Sequence, residues 1–121
     1  MPTAPLPDPA LVVLAGAAGS GKSTWAAARY RAVEIVSSDA LRGIVGSGPA
    51  DLDASQDAFD LLDRIVAARA GRGLTTVVDT LGLDDARRAA HLRLARSAGL
   101  AAVLVVLDTP AGMHGKKVDA V

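Results

Sequence analysis

Short apolar runs separated by longer amphipathic stretches set the plan of the chain. Residues 10–15 (Ala-Leu-Val-Val-Leu-Ala) are continuously apolar, the pattern of a strand buried on both faces of a parallel sheet. A Gly-rich turn follows, then a helical stretch from about Lys22 to Arg31. Residues 33–36 predict a second short strand that runs into Ser37-Ser38-Asp39, with a short helix after it through Arg42 and Ile44. Gly46 to Pro49 reads as a loop. Over 51–70, Phe59, Leu62, Ile65, Val66 and Arg69 recur at three- and four-residue spacing with acids opposite. That spacing predicts a helix, stopped by Gly71 and Gly73. Residues 75–78 predict a third strand, ending at Asp79. Asp84 and Asp85 open a further helix, favoured at its positive end, which runs to about Ser97 before Gly99. Residues 101–107 predict a fourth strand, and Asp108-Thr109-Pro110 turns away from it.

Strands alternating with helices predict an α/β fold, with βαβ units, a parallel sheet and right-handed crossovers. No internal repeat is visible. A chain of 121 residues makes one domain and can bury roughly two thirds of its unfolded surface. The expected organisation is a loose Pro-rich lead-in over 1–9, one domain over 10–110 and an atypical tail over 111–121.

Composition narrows the function classes. Aromatics are 2% of a chain that is 50% hydrophobic, so Ala, Val, Leu and Ile must build the core. Thirteen basic and thirteen acidic residues cancel, so no overall field draws in nucleic acid or membrane. Cysteine is absent, which excludes disulfides and thiolate metal sites. The four prolines of the lead-in and the shortness of the apolar runs predict neither a signal peptide nor a membrane span. A cytoplasmic protein is expected.

Gly16-Ala17-Ala18-Gly19-Ser20-Gly21-Lys22-Ser23 matches the Walker A pattern G-x-x-x-x-G-K-[ST], between an apolar strand and a helix. A phosphate chain needs bare backbone against it, and glycines allow that approach. Backbone N–H groups at a helix N-terminus then face the anion. Lys22 would bring a point charge to the outer phosphates, and Ser23 a hydroxyl to Mg²⁺. Thr24 is either an α-phosphate contact or an ordinary first-turn residue. A nucleoside triphosphate, read as Mg·ATP, is the expected ligand.

Ligands of open α/β sheets sit outside the carboxyl ends of the strands, where Asp39, Asp79 and Asp108 fall. Asp39 is read as the base that takes a proton from an acceptor hydroxyl, against the alternative of an N-cap for the helix after it. Asp79 is read as a Walker B carboxylate for Mg²⁺, against a turn-forming Asp. Asp108 is read as a turn residue. Arg42, one helical turn past Asp39, either holds an anionic acceptor or is a solvated surface residue. Arg87, Arg88, His91, Arg93 and Arg96 are expected to cover the exposed face of their helix, and Trp25 to anchor a helix face.

These stretches together have a family look. Gly16 to Trp25, Val36-Ser37-Ser38-Asp39-Ala40-Leu41-Arg42-Gly43 and Leu74-Thr75-Thr76-Val77-Val78-Asp79 resemble the P-loop kinase domain of bacterial polynucleotide kinase-phosphatases and related small AAA-family ATP-binding proteins. The resemblance runs from about residue 11 to 110. It implies a P-loop NTPase fold, three-layer α/β/α, with about four parallel strands in the order 2-3-1-4. It implies that Lys22 and Ser23 bind phosphate and Mg²⁺, that Asp39 is the general base for a 5′-hydroxyl and that Arg42 holds an acceptor phosphate. Asp79 matches the third-strand Asp.

Two departures bear on this. The family continues the third-strand Asp as D-A-T-N, whereas here Asp79-Thr80-Leu81-Gly82 follows. The family also places an Arg-rich lid helix and a further strand after the fourth strand. Residues 111–121 hold no Arg but carry Lys116 and Lys117, in a chain whose only other lysine is Lys22. The expectation is a reading frame truncated or shifted after about residue 110, with the lid and last strand missing; a natural short tail is the alternative. Two functions stay open. One is an ATP-dependent kinase that phosphorylates a hydroxyl acceptor, with a polynucleotide 5′ end as a candidate. The other is a nucleotide-binding module with little turnover. The sequence names neither the acceptor, the ATP or GTP preference nor the oligomeric state.

Overall fold

The computed structural model describes residues 6–17, 19–80 and 85–107, and the backbone of 116–120. The sequence readings at residues 1–5, Ala18, Leu81, Gly82, Asp84, Asp108, 111–115 and 121 lie outside the described residues.

Strand β1 (Ala10–Ala15) is the centre of the sheet. Its apolar run alternates between two cores: Leu11 and Val13 face one, and Ala10, Val12 and Leu14 the other. That double burial explains why the run carries no polar position. Helix α1 (Lys22–Arg29) covers the second core with Trp25 and Ala26. Strand β2 (Ile35–Ser37) follows a short 3-10 turn, and α2 (Ser38–Val45) starts directly after it. Helix α3 (Ser55–Gly71) and α4 (Asp85–Ser97) flank β3 (Thr76–Asp79) in sequence. Leu41 of α2, Ala58, Leu62, Val66 and Ala70 of α3, and Leu92 and Ala95 of α4 close the first core. Each fully buried Leu or Val contributes about 1.5–3 kcal/mol relative to exposure. The helices thus lie on both faces, giving the three-layer α/β/α arrangement.

Strand β4 (Ala101–Leu107) pairs with β1 in parallel, from Ala10 opposite Ala101 to Ala15 opposite Val106. Strand β3 pairs on the other side, Leu11 opposite Thr76, and β2 pairs with β3, Ser37 opposite Asp79. The four parallel strands therefore follow the expected order β2-β3-β1-β4.

The tail departs from its reading. Residues 116–120 form a fifth strand, β5 (Lys116–Ala120), antiparallel to β4 with Leu107 opposite Lys116. Five residues carry too little pattern to announce a strand. The open backbone edge of the seven-residue β4 supplies the pairing partner instead.

A second departure concerns α4. His91 is buried rather than on the exposed face, and its Nε2 lies 2.8 Å from Asp63 Oδ1 of α3. Arg87 pairs with the other oxygen of Asp63 at 3.0 Å and stacks 5.0 Å from the centre of the Phe59 ring. A polar residue can face a neighbouring helix when that helix brings it a carboxylate, and spacing on one helix alone does not reveal this. Arg93 and Arg96 are exposed as expected. Ahead of β1, Asp8 accepts from the Thr75 hydroxyl, and Leu6 packs against the second core. Among the described residues, no helix is long and apolar enough to cross a membrane.

Candidate functional site

The carboxyl ends of β1, β2 and β3 open onto a cleft of about 370 Å³. Parallel pairing aligns these ends, and the helices that follow start there with their N–H groups pointing outward. Ala17, Gly19, Gly21, Lys22, Ser23, Thr24, Ser37, Asp39, Asp79 and Thr80 line it. Lys22, Ser23, Asp39 and Asp79, the principal residues named from sequence, therefore share one cavity.

The loop from Gly16 to Gly21 is wound through backbone space that favours glycine. Gly16, Gly19 and Gly21 have φ of 153°, 83° and 91°. At Gly16 a Cβ would stand 2.5 Å from the Leu107 carbonyl and 2.7 Å from Ser20 Oγ, so the loop is pressed onto the end of β4. Gly21 caps α1 in the left-handed conformation and turns the chain into the helix.

Lys22 is only 7% exposed, and Nζ donates to the Gly16 carbonyl at 2.9 Å. Among the described residues, no carboxylate pairs with it. A buried ammonium held by a single carbonyl favours an added anion in the cleft. Ser23 Oγ donates to Asp79 Oδ2 at 2.7 Å. Asp79 is itself buried, at 8% exposed. A hydroxyl and a carboxylate at this distance form a hard-oxygen set of the kind that Mg²⁺ accepts alongside phosphate oxygens. The residues present thus fit a triphosphate with its magnesium.

On the far lip, Ser37 caps α2: its Oγ accepts from the Ala40 N–H at 3.3 Å. Asp39 is not the cap and sits in the first helical turn. Its side chain is 51% exposed and reaches the cleft, while Arg42 Nη2 ion-pairs with Oδ1. Arg42 does not line the cleft. Its Nε donates to the Pro49 carbonyl at 2.8 Å, and its side chain is 14% exposed. Thr24 lies on the cleft wall, whereas Gly16 and Ser20 shape the loop from behind.

Ser37 and Thr80 line the cleft without having been singled out. The register of Ser37 beside Asp79 puts Ser37 there, and only strand pairing reveals it. Thr80 was visible as the residue after a Walker B aspartate, where its position alone could have flagged it.

A family model described as an AAA domain matches residues 11–120. The chain belongs to that AAA domain family. A solved structure described as a Pnkp1/Rnl/Hen1 complex is similar to this AAA domain, with a TM-score of 0.67 and 22% identity. The match covers 84% of this chain and 36% of that one, so the AAA domain spans about a third of the solved chain's length. At this identity the likeness speaks for the fold alone. No curated protein matches the sequence. Family and fold together make this an AAA domain with the P-loop NTPase fold.

Proposed function

We propose that the domain transfers the γ-phosphoryl group of ATP to a hydroxyl acceptor. The observation that carries this reading is the placement of Asp39. Ser37 caps α2 in its stead, and the Asp39 carboxylate stands in the same cleft as Lys22, Ser23 and Asp79. With Ser37 already capping α2, capping gives no account of Asp39 at the cleft.

In this reading Lys22 and the loop backbone bind and orient the triphosphate, and positioning is most of what phosphoryl transfer asks of a protein. Ser23 and Asp79 would hold Mg²⁺, which when bound neutralises charge on the phosphate oxygens. Asp39 accepts the proton of the acceptor hydroxyl as its oxygen bonds to the γ-phosphorus. The bond between that phosphorus and the β–γ bridging oxygen breaks, and ADP leaves with the electron pair. Base catalysis of this kind is worth roughly 10²–10⁴ in rate. For the acceptor class we take a polynucleotide 5′-hydroxyl, because the Ser37-to-Gly43 stretch resembles that of the polynucleotide kinases.

The test is transfer of labelled γ-phosphate from Mg·ATP to a 5′-hydroxyl oligonucleotide, beside Asp39→Asn. Label reaching the oligonucleotide with wild type and not with the variant is the expected result. Tight Mg·ATP binding with no label on the oligonucleotide, or on any other hydroxyl offered, would reduce the domain to a nucleotide-binding module.

A further inference from the structure

The Asp39 carboxylate stands at the end of a series of contacts that begins outside the cleft. Asp51 accepts from the Ser47 N–H at 2.9 Å, the Ser47 hydroxyl at 3.3 Å and the Asp53 N–H at 3.2 Å. The Asp51 N–H in turn donates to the Gly48 carbonyl at 3.0 Å, so residues 47–51 close into a turn. Gly46 lets that turn lie against α2. A Cβ at Gly46 would overlap the Asp51 carboxylate and come within 2.8 Å of the Ala54 Cβ. At Gly43 a Cβ would be accommodated, in ordinary contact with the Pro49 ring at 3.5 Å. The turn therefore presents the Pro49 carbonyl to Arg42 Nε, and the same guanidinium reaches Asp39 through Nη2. A planar fork anchored through Nε carries Nη2 in a fixed geometry toward the carboxylate it holds. A group so engaged is also poorly placed to serve an incoming anion.

We infer that Arg42 is a positioning residue: anchored on the Pro49 carbonyl, which the Asp51 turn sets in place, it holds the Asp39 carboxylate at the cleft instead of binding an acceptor phosphate. What Asp39 does there rests on the phosphotransfer reading; the contacts do not. Asp51, which touches no part of the cleft, then governs the chemical step.

Two measurements on the full chain separate these levels. The first is hydrogen exchange of the Arg42 Nε–H, read by NMR without nucleotide. It should be slow in wild type and in Asp39→Asn, and about tenfold or more faster in Asp51→Ala. The second is steady-state transfer from Mg·ATP to a 5′-hydroxyl oligonucleotide and to a free nucleoside, which offers a hydroxyl but no phosphate. Asp51→Ala should lower kcat about ten- to a hundredfold, because a base displaced by an ångström loses that much, with acceptor KM unchanged. Asp51→Asn, which keeps one acceptor oxygen, should recover part of the loss. Arg42→Lys should slow both acceptors by the same factor.

An Arg42 Nε–H that exchanges like that of an exposed arginine in wild type overturns the inference. So does an Arg42→Lys effect confined to the KM of the phosphate-bearing acceptor. Slow exchange that Asp51→Ala abolishes supports the positioning contacts even in a protein that transfers nothing, and that outcome sinks the phosphotransfer reading alone.

Discussion

On one side of the cleft, Gly16, Gly21, Lys22 and Ser23 come from a single uninterrupted stretch that runs from the end of β1 into α1. On the other, Asp39 depends on Arg42, Pro49 and Asp51, which belong to a helix, a loop and the turn before α3. The first side is backbone wound tightly against the end of β4, with Lys22 buried. The second is side chain on side chain, with Asp39 half exposed. A phosphate chain is the same in every nucleotide, so its cradle can be rigid and built from local sequence. The side that would meet a variable acceptor in the proposed reaction is built from separate pieces that can each change without unwinding the loop.

Chemistry separates the two sides most sharply. Asp39→Asn should cut phosphoryl transfer by about 10²–10⁴, while calorimetry finds Mg·ATP affinity essentially intact. A parallel loss of nucleotide binding would mean that the two sides are not independent. Lys22→Ala should act on the other side, weakening Mg·ATP by about thirtyfold or more, since removing one partner of a desolvated charge pair costs roughly 2–5 kcal/mol. Calorimetric binding unchanged in that variant would remove Lys22 from the phosphate site. Gly16→Ala should cost less, about 1–3 kcal/mol of stability, through its φ of 153° and the approach of the Leu107 carbonyl. Thermal unfolding reads it, and a Tm equal to wild type would show that the loop yields without strain.

The same contrast governs what the sequence alone makes legible. The phosphate loop was legible because its demands fall on consecutive residues: bare backbone, then a cation, then a hydroxyl. The strands at 10–15 and 101–107 were legible because burial on both faces leaves an unbroken apolar run. Asp39 could be named but not decided, because Asp is both a good cap and a good base; Ser37 Oγ takes the cap, and only that alternative falls away. The Asp51 turn and its Pro49 carbonyl were invisible, since a backbone oxygen has no sequence signature. The burial of His91 depended on Asp63, a residue on another helix. Strand β5 depended on the free edge of β4 rather than on any pattern of its own.

The smallest expected effects are in pH, and they divide the 47–51 turn from α1. Near the Asp39 side, the Ser47 N–H holds the Asp51 carboxyl below its ordinary value. A carboxylate with a lowered folded pKa contributes stability that is complete above the unfolded value and disappears as pH falls through the folded one. The turn at 47–51 should therefore loosen in acid, below the usual carboxylate range, and Asp51→Asn should lack that dependence. At the end of α1 far from the phosphate loop, burial raises the Tyr30 phenol, with Asp8 and Glu34 adding to it and Arg29 opposing. The sign reverses for an acid whose folded pKa is raised: its stability is present below the unfolded value, near 10, and is lost as pH climbs through the folded one. Tyr30→Phe should flatten that alkaline limb. Site-resolved NMR during a pH titration tests the pair. Ser47 and Asp53 amides should shift first in acid while those of α1 hold, and α1 should respond in base while the turn holds. Amides of both segments moving together at either extreme would show that the 47–51 turn and α1 melt as one unit.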